Sequence, residues 1–320
     1  MEQSHKKIIF EINNKDKGKR IDRFLFDRGL EISRSRIQKL INIGKVKSSG
    51  TVISKNYILK GNEIIEVEDT NLPVFDYHFK PQDIRLNIIY EDEYFMAVSK
   101  DAGMVIYPAP GHYENTLVNA LINYNEKFSE VGGNLRAGIV HRLDKDTSGI
   151  ILVAKDNKTH TILSEKFRQR QIKKTYEALV YGNFKEAAGT IDMPIGRSLK
   201  DRKKMGVVSG GRKSLTDFKV TDRFKCCSLI EVYPETGRTH QIRVHLAFIG
   251  HPVIGDKTYG NRETEKIAKD IGLSRQFLHA KRIVLTHPVT GKEIDLIADL
   301  PDDLSDSIDI LNLKYHTCSG

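Results

Sequence analysis

Apolar positions near the start of the chain recur at helical spacing in two short stretches, and the pattern then switches to the alternation of strands. Ile21, Phe24 and Leu25 fall on one helical face. Ser33 or Ser35 can cap a second helix with the stripe Ile37, Leu40 and Ile41, and Gly44 is placed to end it. Residues 46–53 read as a hairpin turning at Ser49 and Gly50, and Gly61 and Asn62 mark a turn before a strand at 63–67. Residues 69–85 are rich in turn formers and have no period, as expected of a linker.

Beyond the linker, strands are expected at 86–90, 94–98, 150–154, 174–181, 282–286 and 293–298. Helices are expected at 116–122, capped by Asn115, after Asp156 with Leu163 and Phe167 inward, and at 238–249 with Ile242, Leu246 and Ile249 on one stripe. The reading is an α+β chain: a small basic α/β module at 18–68, a linker at 69–85, a larger mixed, mainly antiparallel sheet domain flanked by helices at 86–300, and a tail at 301–320 with no readable pattern past 305.

Composition narrows the class. Apolar residues make up 39% of the chain, enough for a core, and no apolar run approaches membrane-spanning length. The start lacks an apolar signal segment, and three cysteines without a Cys-x-x-Cys pair make a disulfide framework or thiolate zinc site unexpected, so the expected compartment is the cytoplasm. The net charge is +9, and residues 17–60, with twelve Lys or Arg against three acids, carry all of it. Such a segment can be a solvated face, but Arg34, Arg36 and Lys39 fall together off the apolar stripe of the second helix, which suits a polyanion such as RNA.

Three constellations bear chemistry. The first is His141-Arg142-Leu143-Asp144, followed by Thr147-Ser148-Gly149 and an apolar strand. An acid there can simply cap a helix or pair with Arg142, but basic flanks also keep a carboxylate ionised for attack. The second runs from Glu235 through Arg238, His240, Arg243 and His245 to Asp256 and Tyr259. His240 and His245 are five apart, poor spacing for two metal ligands on one helix face, whereas the arginines suit phosphate or carboxylate. The third is Tyr176, on a strand preceded by Lys173 and Lys174; a strand tyrosine is ordinarily core.

These residues carry a resemblance. Arg20-Ile-Asp-Arg-Phe-Leu25, residues 33–41, Gly44-Lys-Val46 and Gly61-Asn-Glu63 resemble the alpha-L RNA-binding module first described in a small-subunit ribosomal protein. The combination His-Arg-Leu-Asp-x-x-Thr-Ser-Gly resembles the active-site signature of the RluA-type pseudouridine synthases, and the likeness extends over about residues 86–300. One departure is Lys100-Asp101-Ala-Gly103, where the family shows Lys-Pro-x-Gly.

The resemblance implies that Asp144 is the essential aspartate, that Arg243 ion-pairs with it, and that Tyr176 lies against the target base. It places Arg142, His141, Arg238 and His240, with Arg34, Arg36 and Lys39 of the basic module, in contact with RNA. The basic stretch from Arg197 to Lys213 matches a family loop that would clamp RNA. The implied activity is isomerisation of particular uridines, with large-subunit ribosomal RNA or pre-ribosomal particles as partner and without metal, redox or nucleotide cofactor; a monomer is the default expectation. A transfer-RNA synthase and a non-catalytic ribosome-assembly factor are the alternatives. A hydrolytic glycosidase using Asp144 and Asp146 is disfavoured, because neighbours on one turn cannot flank a glycosidic bond.

Overall fold

The computed structural model describes residues 7–28, 30, 34–68, 80–108, 113–132 and 137–315. The chain forms two compact units, residues 1–78 and 79–320.

In the first unit, strand β1 (Lys7–Ile12) precedes helices α1 (Ile21–Asp27) and α2 (Arg34–Asn42), and β2 (Val46–Ser48), β3 (Thr51–Val52) and β4 (Glu63–Glu68) follow. The strands form one sheet in the order β1-β4-β2-β3. Both expected helical stripes are buried: Ile21, Phe24 and Leu25 meet Ile37, Leu40 and Ile41 over Ile65 and Val67 of the sheet. Gly44 takes the left-handed conformation expected just past a helix end. Ser33 lies outside the described residues and Ser35 is inside α2, so Ser35 does not cap it. Strand β1, absent from the expected pattern, pairs antiparallel with β4 along its full length.

The second unit opens with strands β5 (Asn87–Glu91) and β6 (Phe95–Lys100), helix α3 (Leu117–Tyr124), β7 (Ser148–Ala154) and α4 (Asn157–Arg168). It continues through β8 (Lys173–Tyr181), β9 (Ala188–Asp192), the hairpin strands β10 (Ile195–Arg197) and β11 (Met205–Val207), β12 (Leu215–Arg223) and β13 (Cys227–Pro234). Helices α5 (Gln241–Phe248) and α6 (Arg262–Asp270), strands β14 (Leu278–Thr286) and β15 (Glu293–Ile297), and helix α7 (Asp302–Tyr315) complete it.

The main sheet runs β5-β6-β7-β14-β8-β13-β12-β9, with β15 also paired to β14. Its pairings are antiparallel except β7 with β14. The fold is thus mixed α+β with a mostly antiparallel sheet. Every residue of β7 is buried, which explains its continuous apolar sequence.

Three expectations shift. Thr116, not Asn115, caps α3: its hydroxyl accepts from the Asn119 amide while the Asn119 side chain accepts from the Thr116 amide. The helix expected at 238–249 begins only at Gln241. Residues expected as a patternless tail form α7, with Leu304 and Leu311 fully buried against Ile271, Phe277 and Phe224.

The register across the centre of the sheet positions the chemistry. Gly149 on β7 pairs with Ala280 on β14, Ala280 with Tyr176 on β8, and Tyr176 with Val232 on β13. The loop bearing Asp144 therefore ends in the same cross-strand row as Tyr176, with only β14 between them. Gly149 makes this approach possible: its φ is +111°, and a Cβ there would lie 2.3 Å from the Ala280 carbonyl oxygen. Gly149→Ala is expected to lower unfolding stability on the order of 3 kcal/mol, measured by urea denaturation. A neutral result would mean that β7 and β14 can separate freely.

Candidate active site

The Asp144 loop turns tightly, with the Thr147 amide donating to the Asp144 carbonyl at 3.2 Å. Its backbone is held from several segments. The buried Lys100 ammonium donates to the carbonyls of Lys145 (3.0 Å), Asp101 (2.7 Å) and Met104 (3.1 Å). Arg275 donates to the Asp146 carbonyl at 3.2 Å, and the Gln276 amide donates to the Thr147 hydroxyl at 3.1 Å. Arg275 is itself locked by a two-pronged bond to Asp303 of α7, at 2.6 and 2.8 Å. Burial lowers the Lys100 pKa to about 8. The lysine of the departing Lys-Asp-Ala-Gly stretch is thus a fastener for the Asp144 loop.

The side chain of Asp144 meets α5. Arg243 Nη1 donates to Asp144 Oδ2 at 2.9 Å, while its Nε and Nη2 donate to the two oxygens of Asp256 at 2.7 and 2.8 Å. Burial alone would lower the Arg243 pKa, but the bonds and charge of Asp256 and Asp144 push it above its ordinary value. Burial likewise opposes ionisation of Asp256, and the Arg243 fork, with the amides of Thr258 and Tyr259, overrides it and holds that carboxyl below its usual range. Among the described residues no hydrogen bond reaches Asp144 Oδ1; His240 Nε2 lies 3.9 Å from it. The Tyr259 ring lies against the Arg243 guanidinium, 5.2 Å from ring centre to its carbon.

These groups open onto a cavity of about 520 Å³. Asp144, Tyr176, Arg243, His240, Arg142 and Arg238 all line it, so six side chains expected at the site come together. Burial and the Asp144 charge together push the Tyr176 phenol well above its ordinary range, so it presents a neutral ring. Arg142 is exposed at the rim, as are Arg168 and Arg170 from the end of α4. Asp144 thus sits half-buried in a pocket whose rim carries these cations and the exposed Glu235. That arrangement is suited to phosphate groups at the rim and offers the Asp144 carboxylate to a group placed inside.

His141 also borders the cavity, but its Nε2 accepts the backbone N–H of Leu152 at 2.9 Å and its ring lies against Phe167. That nitrogen is taken, and the residue chiefly fastens the loop to β7. His245 turns into the core, bonded to the Thr216 hydroxyl and the Met193 carbonyl. In the first unit Lys39 is exposed; the side chains of Arg34 and Arg36 lie outside the described residues. Asp256 and Tyr259 stood in the second constellation without a role. Arg275, Gln276 and Asp303 had no local signal, because their importance arises only from tertiary contact.

Comparison with known proteins agrees with this geometry. The RNA pseudouridylate synthase family matches residues 94–248, and the S4 domain matches residues 19–65. The chain is 39% identical over 299 residues to an uncharacterized RNA pseudouridine synthase, YlyB, of Bacillus subtilis, covering 93% of this chain and 96% of that one. It is 41% identical over 294 residues to ribosomal large subunit pseudouridine synthase D of Zymomonas mobilis, covering 90% and 92%. A solved structure, human RNA pseudouridylate synthase domain containing 1, superposes with a TM-score of 0.55 at 29% identity, over 68% of this chain and 84% of that one. The chain belongs to the RNA pseudouridine synthases, enzymes that isomerise uridine within RNA. Within them it is RluA/RluD-like, with an S4 RNA-binding domain at its N-terminal end.

His141 gives a pH-dependent prediction. Burial, reinforced by the Lys174 charge, lowers its pKa to about 3. The folded state therefore binds this proton less readily than the unfolded state, whose imidazole titrates near 6.5. Its contribution to stability is complete above pH 6.5 and is lost progressively as pH falls from there toward about 3. Denaturation curves at pH 7.5 and 5 should show a smaller loss for His141→Gln than for the wild type. An equal loss in both would assign the acid sensitivity to other groups.

Proposed function

We propose that this enzyme converts particular uridines of large-subunit ribosomal RNA to pseudouridine, with Asp144 as the catalytic carboxylate. The observation that carries the residue assignment is the 2.9 Å bond from buried Arg243 to one oxygen of Asp144, in a cavity that Tyr176 also lines. The reaction breaks the C1′–N1 bond and joins C1′ to C5; C5 gives up its proton and N1 gains one. Every atom is conserved, so no co-substrate is consumed. Asp144 acts either by attack on C1′ or by removing the C2′ proton, and both routes use the same carboxylate. Arg243 orients it. The neutral face of Tyr176 stacks on the uracil after it leaves its helix, worth roughly 1–3 kcal/mol against a flipping cost of a few kcal/mol.

The choice of ribosomal RNA rests on relatives named as large-subunit synthases at about 40% identity and on the S4 match over residues 19–65. In this reading Arg142 and Arg238 hold RNA at the cavity, and Arg34, Arg36 and Lys39 hold it at the S4 domain. We further read the chain as a cytoplasmic monomer acting on ribosomal RNA or its precursor particles; no helix among the described residues is long and apolar enough to cross a membrane.

Tritium release from 5-tritiated ribosomal RNA tests the assignment. Asp144→Asn should abolish release while RNA affinity stays near that of the wild type. Arg243→Lys replaces a planar fork by a point charge that cannot serve two carboxylates. It should lower the single-turnover rate by on the order of 100-fold. Carbodiimide mapping in cells with and without the protein tests the target. Loss of a large-subunit pseudouridine supports the reading, and loss confined to transfer RNA overturns the ribosomal assignment.

A further inference from the structure

Two residues of the cavity lining, Arg170 and His240, have left-handed backbones, and His240 is the one whose ring faces Asp144. His240 precedes α5 with φ 56° and ψ 21°, the left-handed conformation that a residue with a Cβ seldom adopts, and its side chain caps no helix amide. That conformation turns the ring toward the cavity and Tyr259 rather than along the helix. Its Nδ1 is hydrogen-bonded to the Tyr259 hydroxyl at 2.9 Å. The same hydroxyl accepts the Met205 amide at 3.0 Å, and Lys204 donates to the Thr258 carbonyl at 3.0 Å. The turn at 256–259 is therefore pinned to the β10–β11 hairpin, and the ring of His240 is pinned to the turn.

With Nδ1 engaged, Nε2 faces Asp144 Oδ1 across 3.9 Å, too far for a hydrogen bond. Oδ2 of the same carboxylate is already bound to Arg243, so Oδ1 is the oxygen left for substrate. We infer that His240, with its ring set by the Tyr259 hydroxyl, is a positioning residue that controls whether Oδ1 of Asp144 is open to substrate. The inference rests on Asp144 being the catalytic carboxylate.

A neutral ring whose Nδ1–H donates to the Tyr259 hydroxyl has a bare Nε2 and leaves Oδ1 free. A protonated ring carries N–H donors on both nitrogens, one of them pointed at Oδ1. A small movement then closes a charge-assisted bond and occupies that oxygen. The groups facing the ring are Tyr259, Asp144, Arg243, Asp256 and Arg142. Burial lowers the His240 pKa from the ordinary 6.5; Asp144 and Asp256 oppose that shift, and Arg243 and Arg142 add to it. The open form is thus the one present near neutral pH, and closure belongs to the acid side.

Single-turnover tritium release by the full chain, on 5-tritiated total ribosomal RNA made in cells lacking this protein, decides the matter. Below the His240 pKa the wild-type rate should fall about tenfold per pH unit. In His240→Gln that fall should move at least one pH unit lower. Tyr259→Phe keeps the ring against Arg243 but removes the hydroxyl; at pH 7.5 its rate should drop on the order of tenfold with RNA affinity unchanged. A His240→Gln profile superimposable on the wild type, or a Tyr259→Phe rate equal to it, overturns the inference. Asp144→Asn run alongside separates the two readings. Activity in that variant removes the catalytic assignment itself, whereas an inactive variant with an unmoved His240→Gln profile removes only the role of His240.

Discussion

The site depends on one guanidinium shared between two carboxylates. Arg243 is almost wholly buried, Asp256 fully so, and Asp144 remains partly open to the cavity. A buried arginine with one carboxylate would be neutral as a pair; the second acid brings the formal charge of the cluster to minus one. Desolvating such groups is costly unless every donor and acceptor is used. The fork of Arg243 uses Nε and Nη2 on Asp256, which fixes its plane, and so aims Nη1 at Asp144. Asp256 thereby determines the geometry of a residue it does not touch.

For that aim to hold, α5 must not rotate. Ile242 and Leu246 bury one side of it against the sheet. Polar bonds fix its phase more sharply: His245 spans the Thr216 hydroxyl and the Met193 carbonyl, and Gln241 bonds the Leu215 carbonyl and the Thr216 hydroxyl. On the opposite side, Lys100, Arg275 and Gln276 fasten the Asp144 loop through its backbone and the Thr147 side chain. Carboxylate and guanidinium are thus positioned by separate anchors and meet at 2.9 Å. Geometry prepared before substrate arrives is what lowers a barrier set by orientation.

Which parts of this were legible in the sequence follows from how local each signal is. The stripes of α1 and α2, the apolar run of β7 and the Asp156 cap of α4 are written in neighbouring residues, and each formed where expected. Helix α7 escaped because Asp302, Asp303, Asp306 and Asp309 dilute its apolar residues, and Leu304 and Leu311 become informative only when a core is present to receive them. The start of α5 was misplaced because no periodicity reports a left-handed His240. In the site, the motif around Asp144 and the spacing around Arg243 were readable, and the motifs' likeness to a family supplied the pairing. The partners that hold those residues were not readable. Arg275 and Asp303 are joined to the Asp144 loop only by folding, across more than a hundred residues of chain.

The same division of labour runs through the charge. Residues outside 17–60 balance at 39 basic and 39 acidic, yet the cavity rim draws Arg142, Arg168, Arg170, Lys174 and Arg238 to one place. The whole formal excess of +9 lies in the segment that overlaps the S4 match. In the proposed reading, most of the affinity for a polyanion comes from the S4 segment, with the cavity rim adding to it, and selection of a base belongs to the cavity. Phosphate neutralisation is strong, salt-sensitive and blind to sequence. Selection, in that reading, occurs where a base enters the cavity lined by Tyr176 and Asp144. A binding domain can supply the first without touching the second, which is consistent with the balanced charge of the residues outside 17–60.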